Sequence, residues 1–153
     1  MTNTKLPGGG LITAMGIMPH TDLEKALEIS LSMDVAYWPQ LPRMSYYEDM
    51  YVQSSEHFPG IEVDTEGERI TLSTEKFYAE LPEYFESSLE PNFFRLSDKY
   101  SIAFNTFLNH DLAAYPVIRG QSVGPISFGF KITDENRKPI LYNDEIREFM
   151  FVF

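Results

Sequence analysis

The chain has 153 residues, of which 43% are hydrophobic and 14% aromatic, and its formal net charge is −11. A single domain of this length buries roughly two thirds of the surface that its unfolded chain exposes, so we expect a packed core rather than global disorder. The acidic surface repels phosphate groups and anionic lipids, which argues against nucleic-acid and membrane-surface partners. There is no cysteine, which excludes disulfides and thiolate chemistry within the chain.

Two further features bear on location and metals. The N-terminus carries one cation and no apolar core, which argues against a signal peptide, and no apolar run approaches the length of a transmembrane helix. We therefore expect a cytoplasmic protein. The three histidines, His20, His57 and His110, are too scattered to give a recognisable metal-binding spacing. We predict no metal site and no catalytic residue from this chain alone.

The first elements follow a strand–helix–strand order. The glycines at positions 8–10 predict a flexible N-terminal arm over residues 1–10, followed by a buried strand over 11–18. Thr21 is the expected N-cap of a helix, with Glu24 completing a capping box, and a second apolar strand covers 35–38. Because the helix between them supplies a crossover, the two strands are expected to be parallel.

The middle of the chain departs from a minimal α/β unit. Residues 62–64 and 69–72 predict a small hairpin with Gly67 at its turn. A helix with apolar residues from Phe77 to Phe85 follows, and Pro82 is expected to kink it or end it early. A second helix is expected to begin near Ser97. Together these elements form an insertion between the second and third strands.

The remaining residues predict a third parallel strand with its loop over 117–130, and a last helix capped by Asn143. The predicted fold class is therefore α/β, a partial (β/α)8 TIM barrel of about three β/α units with an inserted hairpin and helices, in a single domain spanning 1–153. The last residues, 148–153, are nearly all apolar. A helix of this composition is normally buried between strands and neighbouring helices, but no further strand is predicted to cover it, so we expect an exposed apolar surface here.

Three predicted strand ends carry the candidate site, since barrel enzymes expose functional groups at the carboxyl ends of their strands. Each end interrupts an apolar run with proline, glycine or polar residues. The candidate substrate-binding residues at these ends are Gly16, Ile17, His20, Gln40, Arg43, Gln121, Ser122 and Gly124.

Several of these residues have two interpretations. The Gln40 amide either binds a substrate carboxylate or carbonyl, or satisfies the backbone of its own turn. His20 either faces the barrel mouth as a proton carrier or ligand contact, or caps local backbone. Arg43 either pairs with an anionic substrate or with an acidic neighbour, Glu48 or Asp49. Adjacent helical residues point about 100° apart, so we expect Glu48 and Asp49 to form a solvated face. Without an adjacent base, Ser122 is not a candidate nucleophile.

Five short motifs, in order along the chain, resemble the start of cobalamin-independent methionine synthase and its relatives in the superfamily that includes uroporphyrinogen decarboxylase. They are Met15–Asp22, Trp38–Pro42, Tyr47–Met50, Phe58–Gly60 and Gly120–Pro125. The resemblance implies a (β/α)8 barrel about twice this length. It also implies methyl transfer to a thiol or a corrinoid-type acceptor in the complete protein.

The chain departs from both families at specific positions. Ile17 stands where the methionine synthases have a substrate-contacting serine, and Pro39 stands where the decarboxylases have a carboxylate-binding arginine. The zinc ligands implied by the resemblance lie on later strands, so no cofactor is expected within this chain, although a complete homologue could bind zinc. Methyl transfer by the chain alone is therefore not expected.

Two hypotheses remain open. In the first, the chain is the N-terminal portion of such a methyltransferase-like barrel, and the partner of the complete barrel is a small-molecule substrate. In the second, it is a stand-alone binding or self-associating module that forms a homodimer through an exposed sheet edge and its apolar C-terminal helix.

Overall fold

A computed structural model describes residues 9–153. Most of the predicted arm over 1–10 therefore lies outside the described residues, while Gly9 and Gly10 are exposed. The described part is mixed α/β and forms two compact units, one from residues 9–49 and 101–121 and the other from 50–100 and 122–153. None of its helices combines the length and the apolar character needed to cross a membrane.

The described residues contain six α-helices and four short strands in two small sheets. In chain order these are α1 (Leu23–Leu31), β1 (Ala36–Tyr37), α2 (Met50–Gln53), β2 (Ile61–Asp64), β3 (Arg69–Leu72), α3 (Thr74–Ser87), α4 (Ile102–Leu108), β4 (Ile118–Arg119), α5 (Pro125–Lys131) and α6 (Asp144–Val152). Three single 3-10 turns, Tyr46–Glu48, Leu112–Ala114 and Ile140–Tyr142, connect some of them.

The first unit is built on parallel pairing. Strand β1 pairs in parallel with β4, Ala36 opposite Ile118 and Tyr37 opposite Arg119. A further parallel bridge joins Ile17 to Gln40. The segment 36–40 therefore has one parallel partner from earlier in the chain and another from later. This is the chain-order adjacency expected when helices cross over between neighbouring strands.

Helices α1 and α4 cover the apolar side chains of this unit. Ala26 and Leu27 of α1 are buried, as are Ala103 and Phe107 of α4. They pack into two adjoining clusters with Tyr37 and other buried side chains, namely Met18, Ala36 and Leu41. Burying one large apolar side chain contributes about 1.5–3 kcal/mol, so these clusters hold the crossover helices against the strand segments.

The second unit combines the hairpin with helices. Strands β2 and β3 pair antiparallel from Ile61 opposite Leu72 to Asp64 opposite Arg69. The Asp64 carboxylate closes the turn because it accepts a hydrogen bond from the Gly67 amide at 2.9 Å. The rings around Phe58 form the core of this unit, with centroids 5.0–6.1 Å from it: Phe77, Phe128, Phe149 and Phe153.

The structure differs from the predicted elements at several points. Residues 11–18 form an extended segment with one bridge rather than a buried strand; Ile12 and Met15 are each 61% exposed. The N-cap of α1 is Asp22 instead of Thr21, and its carboxylate accepts from the Lys25 amide at 3.2 Å. Aspartate caps at least as well as threonine, and the residue spacing alone does not separate the two.

Three helices also begin, end or pack differently from the prediction. Helix α3 continues through Pro82 to Ser87, since proline removes one hydrogen bond without forcing the helix to stop. Helix α4 begins after Ser101, later than predicted. In α6, Phe149 and Met150 are buried, whereas Phe151 and Val152 are 55% and 79% exposed, so only part of the predicted exposed apolar surface is present.

Candidate functional site

Three of the predicted site residues meet at the carboxyl ends of the strand segments in the first unit. The backbone amide of Gly16 donates a hydrogen bond to Gln121 Oε1 at 3.0 Å. Gln121 Nε2 in turn donates to Gln40 Oε1 at 2.7 Å. The two glutamines are 81 residues apart in sequence, so the fold brings together residues that were predicted separately from three different strand ends.

The direction of this hydrogen-bond chain follows from chemistry. A backbone amide can only donate, so the Gln121 atom facing Gly16 must be its carbonyl oxygen. The Gln121 nitrogen must then face Gln40, whose oxygen accepts. Each bond polarises the next, which strengthens the chain in a low-dielectric environment. The Gln121 Nε2 group has a second N–H beyond the one given to Gln40.

Burial distinguishes the roles of the two glutamines. Gln40 is 1% exposed, and its backbone belongs to the parallel ladder: its amide donates to the Gly16 carbonyl and its carbonyl accepts from the Met18 amide. Gln121 is half-buried. Gln121 is therefore the member of the pair that a ligand can reach, and Gln40 is the residue that holds it in position.

Gly16 permits this arrangement because it has no side chain. A Cβ at this position would lie 2.6 Å from the Trp38 carbonyl oxygen and 3.1 Å from Gln121 Cδ. The first of these contacts is with backbone, which cannot rotate away. The glycine is therefore required for close approach of the first strand end to the second and to the Gln121 amide.

A cation that the sequence analysis did not single out lies in the same unit. Arg119 is the last residue of β4, and its Nη1 donates to the Ala14 carbonyl at 2.9 Å. Its Nη2 lies 3.3 Å from Met15 Sδ. The guanidinium thus fastens the first extended segment to the third strand. Arg119 directly precedes Gly120, the first residue of the third strand-end motif, and this position could have identified it as a candidate from the sequence.

The other predicted residues of the first unit do not join the glutamine chain. Ile17 pairs with Gln40 through its backbone and is 44% exposed. His20 is half-buried, and its Nδ1 atom is buried without a hydrogen-bond partner among residues 9–153. Arg43 is exposed.

Ser122 and Gly124 belong to the second unit. The Ser122 hydroxyl is exposed and donates to the Val123 carbonyl at 3.4 Å. Gly124 is the N-cap of α5. Ser122 also lines a cavity of about 360 Å³ with Phe128 and Met150.

The expectation that Glu48 lies on a solvated face is wrong. Glu48 is 2% exposed, and its Oε1 accepts a hydrogen bond from the Ala103 amide at 3.0 Å while Oε2 accepts from the Ser101 hydroxyl at 3.4 Å. Burial raises the pKa of Glu48, and the hydrogen bonds from Ala103 and Ser101 oppose that increase. The carboxyl group therefore satisfies the first turn of α4 from outside the helix.

The residues present do not fit the zinc site that the resemblance implies. The described part of the chain contains no group of three or more histidine, aspartate or glutamate side chains placed to hold a metal ion, and the sequence has no cysteine. We therefore derive no chemical step through a metal. The chemistry available at the strand ends is hydrogen bonding by amides.

Comparison of the chain with family models, with curated proteins and with solved structures found no match. The fold and the geometry of the strand ends are therefore the observations from which a function has to be argued.

Proposed function

We propose that the chain supplies the first β/α units of a methyltransferase-like (β/α)8 barrel, and that its strand ends form part of the substrate pocket. In the complete protein, a methyl group passes to a thiol or to a corrinoid-type acceptor. A cytoplasmic location and a small-molecule substrate belong to the same proposal.

One observation carries this proposal. Three segments, 16–18, 36–40 and 118–119, neighbour one another in chain order and run parallel. The Gly16 backbone amide and the side chains of Gln40 and Gln121 are hydrogen-bonded together beside them. Parallel strands that succeed one another in sequence are the repeating unit of the barrel, and its active sites are built at the carboxyl ends. The resemblance of the strand-end motifs supports the same assignment.

Within the pocket the two glutamines have separate roles. The second Nε2–H of Gln121 donates to a carboxylate or carbonyl oxygen of the substrate. Gln40 is a positioning residue, because its oxygen accepts one Nε2–H of Gln121 and so fixes the orientation of that amide group. A preoriented donor binds its acceptor without losing rotamer freedom. In the methyl transfer itself, the thiolate sulfur provides the electron pair of the new S–C bond, and the donor atom keeps the pair of the bond that breaks.

A ligand titration tests the role of Gln121. We expect L-homocysteine and L-methionine to shift the Gln121 side-chain NH2 resonances saturably in ¹H–¹⁵N NMR spectra of the full chain. Gln121→Leu should abolish saturable binding, whereas Glu24→Gln, on the exposed face of α1, should retain it. If both amino acids leave the resonances of wild-type Gln121 unchanged, the assignment of this residue to a substrate of this class is wrong.

The coding DNA beyond the Phe153 codon tests the barrel assignment separately. We expect in-frame or frameshifted codons for a His-x-Cys segment and a later cysteine, since zinc-dependent thiol activation needs such ligands. A stop codon followed by unrelated sequence would contradict the assignment.

Exposed apolar side chains on α6 favour a second candidate, self-association of this chain. Phe151 and Val152 are 55% and 79% exposed, and covering them with a second copy would remove apolar surface from water. We expect sedimentation velocity to show a concentration-dependent dimer that Phe151→Asp abolishes and the exposed Glu148→Gln on the same helix does not. A wild-type monomer at all concentrations would exclude this candidate.

A further inference from the structure

The second unit contains a cleft that takes no part in the proposed barrel site. Its volume is about 270 Å³, and its walls are the loop 57–59, one face of α3 and the ring of Phe93. The α3 residues that line it are Glu80, Glu83, Tyr84 and Ser87. Their spacing of three, four and seven residues places them on one stripe of the helix. The cleft is therefore a product of helical periodicity rather than a chance gap between loops.

Aromatic rings form two walls of the cleft. The centroids of Tyr84 and Phe93 lie 5.7 Å apart with their planes at 71°, and His57 lies 4.5 Å from Phe93. Burial raises the pKa of the Tyr84 hydroxyl, which keeps that ring neutral. The planes of Tyr84 and Phe93 thus stand at a steep angle where they line the cleft, and the electron-rich face of an aromatic ring attracts an organic cation.

The loop opposite α3 is held in a defined shape. Its residues His57 and Gly60 adopt left-handed backbone conformations with φ of 69° and 74°. The Gly60 amide donates to Glu80 Oε2 at 2.7 Å. Glu56 adds a second restraint, because its Oε2 accepts from the Ser97 amide at 2.9 Å. A preformed wall lowers the entropy lost when a ligand binds.

The charge of the lining selects the sign of the ligand. Glu80 and Glu83 are both exposed at the cleft, and among the described residues no lysine or arginine lines it. The net charge of −11 adds a field of the same sign. Anionic ligands are therefore repelled. The volume lies just below the range typical of drug-sized sites, which favours a small molecule.

We propose that this cleft binds a small organic cation of the alkylammonium class, with a methylated ammonium group in the corner between Tyr84 and Phe93. The weakly hydrated, diffuse charge of such a group suits ring faces better than a strongly hydrated metal ion does. Glu83 balances the charge at the edge of the corner. Glu80 already accepts a hydrogen bond from the Gly60 amide, so it adds only to the negative electrostatic potential of the cleft.

Choline chloride is the probe, and its neutral isostere 3,3-dimethyl-1-butanol is the matched control, both titrated into the full chain at constant ionic strength. We expect saturable ¹H–¹⁵N shifts at the amides of His57, Phe58, Tyr84 and Phe93, with a dissociation constant of about 1–10 mM. The alcohol should bind several-fold more weakly. The two ligands differ in charge and hardly in shape, so the ratio of their affinities isolates the charge.

Two variants test the named walls. Glu83→Gln and Phe93→Leu should each weaken choline binding about two- to fivefold. Glu86→Gln makes the same charge change on an exposed residue of α3 that does not line the cleft, and it should leave the affinity unchanged. Absence of saturable shifts, equal affinity for the alcohol, or equal weakening by Glu83→Gln and Glu86→Gln would each overturn the proposal. Because Glu83 is exposed, its variant remains informative even if Phe93→Leu unfolds the unit.

Discussion

Replacing Gln121 by leucine tests the hydrogen-bond chain at the strand ends most sharply. The substitution keeps a similar side-chain volume but removes the acceptor of the Gly16 amide and the hydrogen bond that Gln121 donates to Gln40 Oε1. Gly16 is buried, and Gln40 is 1% exposed. An unsatisfied buried polar group costs about 1–3 kcal/mol.

The two losses do not simply add. Gln121 is half-buried, so water can reach part of the vacated position, and the leucine gains some apolar burial. We therefore expect Gln121→Leu to lower the free energy of unfolding by about 2–4 kcal/mol. For a protein of this size, that corresponds to a decrease in Tm of roughly 5–15 °C.

The assay is urea unfolding followed by tryptophan fluorescence. The chain has one tryptophan, Trp38, and its ring lies 4.5 Å from Phe104 within the same unit. The signal therefore reports on the unit that contains the hydrogen-bond chain. Ser122→Ala is the control and should change the free energy of unfolding by less than about 0.5 kcal/mol. A Gln121→Leu variant as stable as wild type would refute the inferred bonds.

Two further perturbations address Gly16 and Glu48. Gly16→Ala should lower the free energy of unfolding by about 1–3 kcal/mol, because its Cβ would lie 2.6 Å from the Trp38 carbonyl oxygen. Gly124→Ala is the control and should have little effect, since a Cβ there meets nothing within 4 Å. Equal urea midpoints for the two variants would contradict this prediction. Glu48→Leu should cost about 1–3 kcal/mol, since the Ala103 amide loses its acceptor, whereas Glu48→Gln keeps an acceptor and should be near neutral at pH 7. Burial raises the pKa of Glu48 in the folded state, so the folded state binds a proton at this carboxyl group more tightly than the unfolded state does. Protonation of Glu48 therefore contributes fully to stability below the unfolded pKa of 4.5. That contribution is lost as the pH rises through the folded pKa. The urea midpoint of the wild type should fall between pH 4 and pH 8, and that of Glu48→Gln should fall less. Identical pH profiles for the two proteins would contradict the raised pKa of Glu48.

Local signals predicted the hairpin and the cap of α6, but not the cap of α1. The hairpin is within one residue of its predicted limits, because turn residues and alternating apolar positions are read from neighbours in sequence. Asn143 caps α6 as expected, with its Oδ1 accepting from the Ile146 amide at 3.2 Å. These features depend on interactions that span only a few residues.

Long-range partners were not predictable in the same way. Glu48 was expected in solvent because nothing near it in sequence indicates that it caps a helix 55 residues later. Gln40 and Gln121 were each identified from proline- and glycine-bearing strand ends, but their mutual hydrogen bond depends on the register of the parallel segments. The partner of a side chain across a sheet depends on the strand register. A single sequence indicates local strand and turn preferences, but these do not determine which residues of distant strands lie opposite one another.

The register of the parallel segments is the property on which the account depends most. A NOESY spectrum of the ¹³C,¹⁵N-labelled chain measures it directly. We expect parallel cross-strand contacts between the backbone protons of Ile17 and Gln40, and between 36–37 and 118–119, together with contacts from the Gly16 amide proton to the Gln121 side chain. Antiparallel contacts between these segments, or none, would contradict the parallel arrangement and with it the proposed place of the chain in a barrel.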